Sequence, residues 1–176
     1  MTEASQRDLV VPNQGRAVQH LLQSLFVAEL VHPSRRLWLS SGWVSDIALL
    51  DNTVRQFAAL QPDWPQERIR LSRLLTDLAD RGCEINVILR DVEYNRTFAA
   101  KLREHRVSGG GRLRVLLHPE FHRKGLLGED YEVIGSMNFT HGGITVNEEH
   151  VVYRCDPQYV NERHIEMAED WGHRFA

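Results

Sequence analysis

The sequence has 176 residues, of which 42% are hydrophobic and 26% charged, and its formal net charge is −3. This composition is typical of a globular domain with a core of its own. The negative net charge argues against a protein that coats nucleic acid nonspecifically, because such proteins are strongly basic. An enzyme whose basic residues are concentrated in one cleft stays possible. No apolar run approaches the roughly 20 residues that a membrane-spanning helix needs, so we expect no membrane partner.

The N-terminal segment and the cysteines favour a cytoplasmic location. Residues 1–13 are polar and lack the basic and apolar regions of a secretory signal, so we interpret them as a loose arm. Cys83 and Cys155 are too few for a disulfide framework and too isolated for a zinc site. We expect each of them to be a small buried thiol in a reducing cytoplasm.

The first part of the chain predicts helices and strands in alternation. Residues 14–31 carry one apolar stripe at helical spacing, and residues 36–44 predict a strand. A short helix is expected near residues 54–60. The apolar residues of 71–79 follow the i, i+3, i+4 pattern of a helix, which we expect to end at Gly82.

The middle of the chain predicts a βαβ unit. Residues 84–89 are rich in β-branched side chains, residues 94–105 have a helical pattern, and residues 113–117 predict another strand. Strands connected in this way run parallel. Short β-segments then follow near 121–128, 131–139 and 148–154, and a helix closes the chain over 157–174. Without repeats or linkers, the sequence predicts a single α/β domain over residues 1–176, with a mixed sheet flanked by helices.

Four polar residues in the β-rich segment are candidates for catalysis. His122 and Lys124 are two residues apart, and so are Ser136 and Asn138, so each pair projects from one face of a strand. A hairpin that closes with a three-residue loop at 129–131 would bring all four side chains to one face. A two-residue loop would put the two pairs on opposite faces.

These chemical groups suit a phosphodiester substrate. An imidazole can attack phosphorus and can return a proton to the leaving oxygen. An ammonium, an amide and a hydroxyl can hold the non-bridging oxygens. A carboxylate behind the histidine would fix its tautomer, and the segment Asn147-Glu148-Glu149 can supply one. Only one of the two glutamates can face the site.

The order of these residues resembles the signature of the phospholipase D superfamily, as found in its small bacterial endonucleases. The matching segments are His122-x-Lys124, Gly135-Ser136-x-Asn138-Phe139 and Asn147-x-Glu149. The resemblance implies the fold of that superfamily and a phosphohistidine intermediate, with no metal ion or other cofactor. It implies catalytic roles for His122, Lys124, Asn138 and Glu149, and phosphate binding by Ser136. Arg123 adjoins the motif and is a candidate for contact with the substrate backbone.

The motif occurs once in the chain. The chemistry of the family needs two histidines, one as nucleophile and one as acid, so the resemblance implies a homodimer that shares His122 of both subunits at a two-fold axis. One position departs from the family pattern, which has an aspartate five residues after the lysine. This chain has Glu129 there and Asp130 one residue later. Either acid can take the place of the family aspartate. In the family this aspartate supports the local structure more than it contacts phosphate, so we expect the change to alter the geometry of the hairpin rather than the chemistry.

A narrower resemblance comes from the segments Lys-Gly-Leu-Leu, Gly-Ser-Met-Asn-Phe-Thr and Ser-Gly-Trp-Val. They are similar to DpdK-type proteins, which accompany bacterial gene clusters that modify DNA with deazaguanine and restrict unmodified DNA. We therefore expect a DNA endonuclease of a restriction or phage-defence system, with other subunits of that system as partners. A catalytically silent DNA-binding or dimerisation subunit and a lipid phosphodiesterase are the alternatives.

Other residues near the motif have simpler interpretations. His118 and His141 are expected to be surface or turn residues, and a metal pair of His118 and His122 lacks a third ligand of matching spacing. Trp38 and Trp43 are expected in the core of their strand rather than as platforms for a nucleobase.

Overall fold

A computed structural model describes residues 6–11, 15–146 and 149–175 of the chain. Within these residues the strands, in chain order, are β1 (Gln6–Val11), β2 (Arg36–Ser41), β3 (Ala48–Asp51), β4 (Arg68–Arg70), β5 (Glu84–Arg90), β6 (Arg112–His118), β7 (Gly125–Leu127), β8 (Glu132–Gly135) and β9 (Glu149–Arg154). The helices are α1 (Gly15–Val31), α2 (Leu71–Asp80), α3 (Glu93–Glu104), α4 (His141–Thr145) and α5 (Pro157–Trp171), and a 3₁₀ turn (Gly172–Phe175) follows α5.

Seven of the described strands form one mixed sheet in the order β1-β9-β8-β7-β2-β5-β6. Strands β2, β5 and β6 run parallel, as the βαβ pattern predicts. The other neighbours in the sheet are antiparallel, including β7 beside β2. Strand β2 therefore lies where the parallel part of the sheet meets the antiparallel part. Sites of open α/β sheets lie at the C-terminal ends of such strands, so this end of β2 is where a site is expected.

Alternating residues of β2 contribute to two separate cores. Leu37 and Leu39 are buried in the first core, which contains residues of α1, α2 and α3. Trp38, between them, is buried in a second core with Val160 and Met167 of α5. Successive side chains of a strand point to opposite faces, so this alternation places helices on both sides of the sheet. The structure is thus a single α/β domain with a mixed sheet flanked by helices, as predicted.

A buried carboxylate links α5 to the sheet. Glu132 on β8 is 3% exposed and accepts hydrogen bonds from Tyr159 Oη at 2.6 Å and from Arg163 Nε at 3.0 Å. A buried charge is tolerated when it is paired and hydrogen-bonded, as it is here. The helix begins where Asp156 accepts a hydrogen bond from Tyr159 N at 2.8 Å, with Pro157 in its first turn.

Two expectations about local structure are wrong. Residues 54–60 form turns instead of a helix. The side chain of Asn52 accepts a hydrogen bond from Phe57 N at 3.1 Å and donates one to Pro65 O at 2.8 Å, so side-chain bonds hold the backbone in a non-helical path. Residues 6–11, which were assigned to a loose arm, form β1 and pair with β9. The two strands are separated by most of the sequence, and local sequence patterns do not predict pairing between such distant segments.

The two cysteines differ in environment. Cys83 is fully buried in the first core, as expected, and burial raises the pKa of its thiol to about 12. Cys155 is only partly buried. Among the described residues no helix combines the length and the apolarity that crossing a bilayer requires.

Candidate active site

The hairpin of β7 and β8 closes with a two-residue loop, Glu129–Asp130. Gly125 pairs with Ile134 and Leu127 with Glu132, and Gly128 N donates to Tyr131 O at 2.9 Å. A three-residue loop, which would put the two pairs of motif residues on one face, is therefore absent. A two-residue loop would put the two pairs of motif residues on opposite faces only if those residues belonged to the paired strands. The paired segments of this hairpin end at Gly125 and Gly135, so this prediction does not apply to them. The candidate residues lie beyond these ends, where loops decide their positions.

Lys124 and Asn138 meet at the C-terminal end of β2. A Cβ atom built on Gly42 would lie 3.3 Å from Asn138 Oδ1 and 3.9 Å from Lys124 Nζ. Asn138 Oδ1 accepts a hydrogen bond from Trp43 N at 3.1 Å. This contact fixes the amide and, among the described residues, leaves its Nδ2 hydrogens without a protein acceptor. The Lys124 ammonium and the Asn138 amide therefore converge over a glycine that occupies no side-chain volume.

His122 lies beside this pair and is exposed to solvent. Its carbonyl oxygen accepts a hydrogen bond from Lys124 Nζ at 3.1 Å. The preceding residue, Phe121, is 1% exposed and packs edge-on against Trp171 at 5.0 Å between ring centroids. Phe121 thus anchors an otherwise irregular segment in the second core. The anchored segment presents the imidazole of His122 outward, where a substrate can reach it.

Ser136 and Glu149 form the third part of the site. Ser136 Oγ donates a hydrogen bond to the Glu149 carboxylate and accepts one from His150 N at 3.1 Å. Ser136 N also donates to His150 O at 3.0 Å. A Cβ atom on Gly135 would lie 2.0 Å from His150 O, so only glycine permits this approach of β8 to β9. Asn147 and Glu148 lie outside the described residues.

Electrostatic effects connect these parts of the site. Burial lowers the pKa of the Lys124 ammonium, the Glu149 carboxylate opposes this shift, and the Arg90 guanidinium adds to it. A partly desolvated ammonium interacts more strongly with an anion than a solvated one does. Lys124 with Asn138 and Ser136 with Glu149 are therefore two polar pairs, close enough for the charge of Glu149 to act on Lys124.

Three residues at this edge of the sheet were missed. Trp43 was expected in the core, where Trp38 indeed lies, but Trp43 is 37% exposed. Arg90 ends β5, the parallel neighbour of β2, and its guanidinium lies 5.5 Å from the centroid of the Trp43 ring. Asn95, fully buried at the start of α3, bonds to the backbone beside both residues. All three residues lie at or after the C-terminal ends of parallel strands, where α/β sheets bind their ligands, and this position could have identified them from the sequence.

Arg123 does not join the site. Its guanidinium pairs with Glu166 at 3.1 Å and with Asp170 at 2.9 Å, both on α5. These pairs connect the motif segment to α5, so the contact to a substrate backbone expected from Arg123 has no support in its geometry. His118 is partly buried beside Trp171, and His141 is exposed in α4. In the described part of the chain no group of three ligating side chains is arranged to hold a metal ion.

The sequence matches one protein-family model, described as "Cardiolipin synthase, PLD-like domain", over residues 47–171. This match covers more than half of the chain. The chain belongs to the phospholipase D-like superfamily. It thereby joins, at the superfamily level, a group that includes phosphodiesterases and nucleases. No curated protein matches the sequence significantly.

Solved structures share the phospholipase D-like fold at low sequence identity. NucT from Helicobacter pylori aligns over 95% of both chains with a TM-score of 0.60 and 13% identity. Nuc, a phospholipase D family member from Salmonella typhimurium, aligns over 97% of this chain and 95% of its own, with a TM-score of 0.57 and 14% identity. TrmBL2, an archaeal chromatin protein, aligns over 95% of this chain and 52% of its own, with a TM-score of 0.51 and 17% identity.

The two candidate motif acids lie at the tip of the hairpin, at the opposite end of β7 from Lys124. Glu129 accepts hydrogen bonds from Arg35 N at 3.0 Å and Arg35 Nε at 2.8 Å, and its own N–H donates to Ser34 Oγ at 2.8 Å. These bonds from Arg35 hold the pKa of Glu129 below its usual range. Asp130 is exposed. Glu129 thus makes the scaffolding contacts, between the hairpin tip and the start of β2.

We predict that Glu129→Gln lowers the free energy of unfolding at pH 7 by about 1 kcal/mol or less, because the ion pair it removes is exposed and screened. A carboxyl whose pKa is lowered by folding stabilises the protein above its unfolded pKa of about 4.3 and loses this effect as the pH falls through the folded value. The difference between wild type and variant should therefore vanish in acid.

Chemical denaturation between pH 2.5 and pH 7 measures this difference. Asp130→Asn is the matched control and should change stability by no more than about 0.5 kcal/mol at either extreme. An equal loss in both variants would contradict the assignment of the scaffolding role to Glu129, as would a Glu129→Gln difference that persists in acid.

Proposed function

We propose that this protein is a metal-independent phosphodiesterase that cleaves DNA at a site shared by two copies of the chain. The observation that carries the proposal is the convergence of Lys124 Nζ and Asn138 Oδ1 over Gly42, beside the exposed His122. The Lys124 ammonium and the Nδ2 group of the same Asn138 amide are donors, and donors suit the charge that develops on the non-bridging oxygens of a phosphodiester in the transition state. Membership of the phospholipase D-like superfamily agrees with this chemistry.

The reaction takes place in two steps. A nitrogen of His122 from one subunit attacks phosphorus, and the bond from phosphorus to the leaving oxygen breaks as a phosphohistidine forms. The leaving oxygen takes a proton from His122 of the second subunit. Water then attacks the phosphohistidine, gives its proton back to the second imidazole, and releases the first imidazole with a phosphate monoester.

The remaining site residues hold the phosphate and the imidazole. The Lys124 ammonium and the Nδ2 hydrogens of Asn138 donate to the non-bridging oxygens. Glu149 accepts a hydrogen bond from Ser136 and so orients the Ser136 hydroxyl. The role of Glu149 in supporting the imidazole of His122 is assigned from the resemblance to the phospholipase D superfamily. The net charge of −3 means that attraction of a polyanion has to come from this local group rather than from the whole molecule.

A second copy is needed because the chain carries the motif once. A two-fold interface brings the same residue of both subunits to the axis, so exposed residues near the axis pair with themselves. His122 is exposed, and so is Val146 directly before the segment that leads into β9. We therefore propose a homodimer whose axis passes beside His122.

The biological setting proposed is a cytoplasmic restriction or phage-defence system. The support is the resemblance of Lys-Gly-Leu-Leu and Gly-Ser-Met-Asn-Phe-Thr to DpdK-type proteins. In that setting the substrate is DNA that lacks the deazaguanine modification, and other subunits of the system are partners. A comparison of cleavage of unmodified and deazaguanine-containing DNA tests this narrower proposal.

Cleavage of plasmid and single-stranded DNA should persist in EDTA, because no step uses a metal ion. His122→Ala should lower the rate at least about 10³-fold, since it removes both the nucleophile and the acid. His141→Ala, which truncates an exposed histidine outside the site, is the matched control and should keep wild-type activity. Gel assays of nicked and linear product measure all three proteins.

Other outcomes of this assay would overturn the proposal. Loss of cleavage in EDTA with rescue by a divalent cation contradicts the mechanism. Hydrolysis of phosphatidylglycerol or phosphatidylcholine vesicles without DNA cleavage indicates a lipid phosphodiesterase, an activity closer to the description of the matching family model. DNA binding that His122→Ala leaves unchanged, with no cleavage by wild type, indicates a silent binding subunit.

Mixed dimers test the sharing of the site. When wild type and His122→Ala are co-expressed in equal amounts, only dimers with two intact chains have both histidines, so random pairing should leave about one quarter of the activity per mass. Independent sites would leave about one half. Analytical ultracentrifugation should find dimers in both preparations, and an active monomer would contradict the shared site.

A further inference from the structure

Trp43 and Arg90 form an exposed aromatic and cationic surface beside the candidate site. They follow the C-terminal ends of the neighbouring parallel strands β2 and β5, and the Arg90 guanidinium lies 5.5 Å from the centroid of the Trp43 ring. Trp43 is 37% exposed. Exposure of a single indole is ordinary by itself. The position of Trp43, beside a cation and next to the candidate site, is what makes it a candidate for binding.

This surface is continuous with the phosphate-binding group. Trp43 N donates to Asn138 Oδ1 at 3.1 Å, and the residue before it, Gly42, lies against both Asn138 and Lys124. Burial is the main reason that the pKa of Lys124 is lowered, and the charge of the nearby Arg90 adds to this shift. A substrate whose phosphate lies against Lys124 and Asn138 thus extends directly past Trp43 and Arg90.

The backbone beneath the surface is held by one buried side chain. Asn95 Nδ2 donates to Gly42 O and to Arg90 O, both at 2.8 Å, and its Oδ1 accepts from Val44 N at 2.8 Å. Asn95 therefore joins the segment after β2 to the end of β5. Arg90 Nε donates to Pro119 O at 3.3 Å as well. A surface built on fixed backbone loses little conformational entropy when it binds a ligand.

The charge of Arg90 is available to an anion. The acidic residues that follow it in sequence, Asp91 and Glu93, both pair with Arg96, at 3.5 Å and 2.8 Å. Arg90 itself makes no ion pair with any carboxylate that the structure describes. A guanidinium over an indole suits a ligand that has both a negative charge and a flat ring.

We propose that Trp43 and Arg90 bind the nucleotide next to the scissile phosphate, with its base stacked on the indole, and that single-stranded DNA is therefore a better substrate than duplex DNA. This inference rests on the proposed function. The faces of a base in a duplex are covered by its neighbours, whereas an unpaired base can turn out and stack on an aromatic side chain. Lys124 and Asn138 recognise a phosphodiester of any kind. The indole adds a stacking contact with a flat ring, and the headgroups of phosphatidylglycerol and phosphatidylcholine contain no such ring.

The test compares single strands with and without bases. Wild type should cleave a single-stranded oligonucleotide faster than the same sequence as a duplex. Trp43→Ala should lower kcat/KM for the single strand by about 5- to 160-fold, the range for loss of one stacked base, and Trp43→Phe should lower it less. Ile165→Ala, which truncates an exposed apolar residue on α5, is the matched control and should leave kcat/KM unchanged.

An all-abasic strand of equal length makes the assignment specific. This strand keeps the phosphates and removes the bases. The kcat/KM of wild type should therefore be lower on the abasic strand than on the normal strand, by the same factor by which Trp43→Ala lowers kcat/KM on the normal strand. Trp43→Ala should lose nothing further on the abasic strand, because both changes remove the same contact. Arg90→Gln should reduce the slope of log kcat/KM against log salt by about 0.7, the value for one phosphate contact to a single strand.

Binding measurements separate failure of this inference from failure of the proposed function. Fluorescence anisotropy measures the binding of labelled strands to the His122→Ala variant, which does not need to cleave them. We expect this variant to bind strands that carry bases more tightly than abasic strands. Cleavage by wild type that Trp43→Ala leaves unchanged would overturn the stacking surface and keep the phosphodiesterase. Loss of the dimer in Trp43→Ala would assign Trp43 to the subunit interface instead. Absence of cleavage, with binding that still depends on the bases and on Trp43, would overturn only the proposed function.

Discussion

The candidate site depends on the close approach of two chain segments to a glycine at the end of β2. Lys124 and Asn138 come from opposite sides of the β7–β8 hairpin, and the missing side chain of Gly42 lets both reach the same point. The position is stable because β2 is paired on both edges, to β5 and to β7, and its residues are buried in cores on both faces. Packed interiors deform little, so groups attached to this strand keep their relative positions.

Carboxylates elsewhere in the fold hold the scaffold and leave the site basic. Glu129 joins the hairpin tip to the start of β2, and Glu132 joins β8 to α5. Both lie away from the C-terminal end of β2, where Lys124 and Arg90 are located. The described carboxylate of the site is Glu149, which accepts a hydrogen bond from Ser136. A chain with a negative net charge thus retains a local surface that can accept a phosphodiester.

The sequence predicted the fold class and the order of most elements because both follow from local patterns. The apolar spacing of α2 is periodic and β5 is rich in β-branched residues, and a sequence displays such local patterns directly. The positions of the site residues were not predictable in this way. These residues lie outside the paired strands of the hairpin, and tertiary contacts position them. Phe121 anchors His122 and Gly42 receives Lys124, and neither contact has a local signature.

The remaining errors have the same origin. Trp43 continues the strand pattern of β2, but the strand ends at Ser41 and the indole lies at the surface. Arg123 adjoins the motif in sequence, yet two carboxylates of α5 bind it, and no pattern in its own segment shows them. Residue type and spacing therefore indicated the chemistry of the site, whereas the partners of each side chain required the fold.

The most direct measurement of the central claim is to trap the covalent intermediate on this chain. A single-turnover reaction with an internally ³²P-labelled strand, stopped by denaturation, should leave label on the wild-type protein. The linkage should be stable in alkali and labile in acid, as a phosphoramidate is, and peptide mapping should place it on His122. Label that is stable in acid and maps to Ser136, or efficient cleavage with no trapped label at any time, would contradict the account.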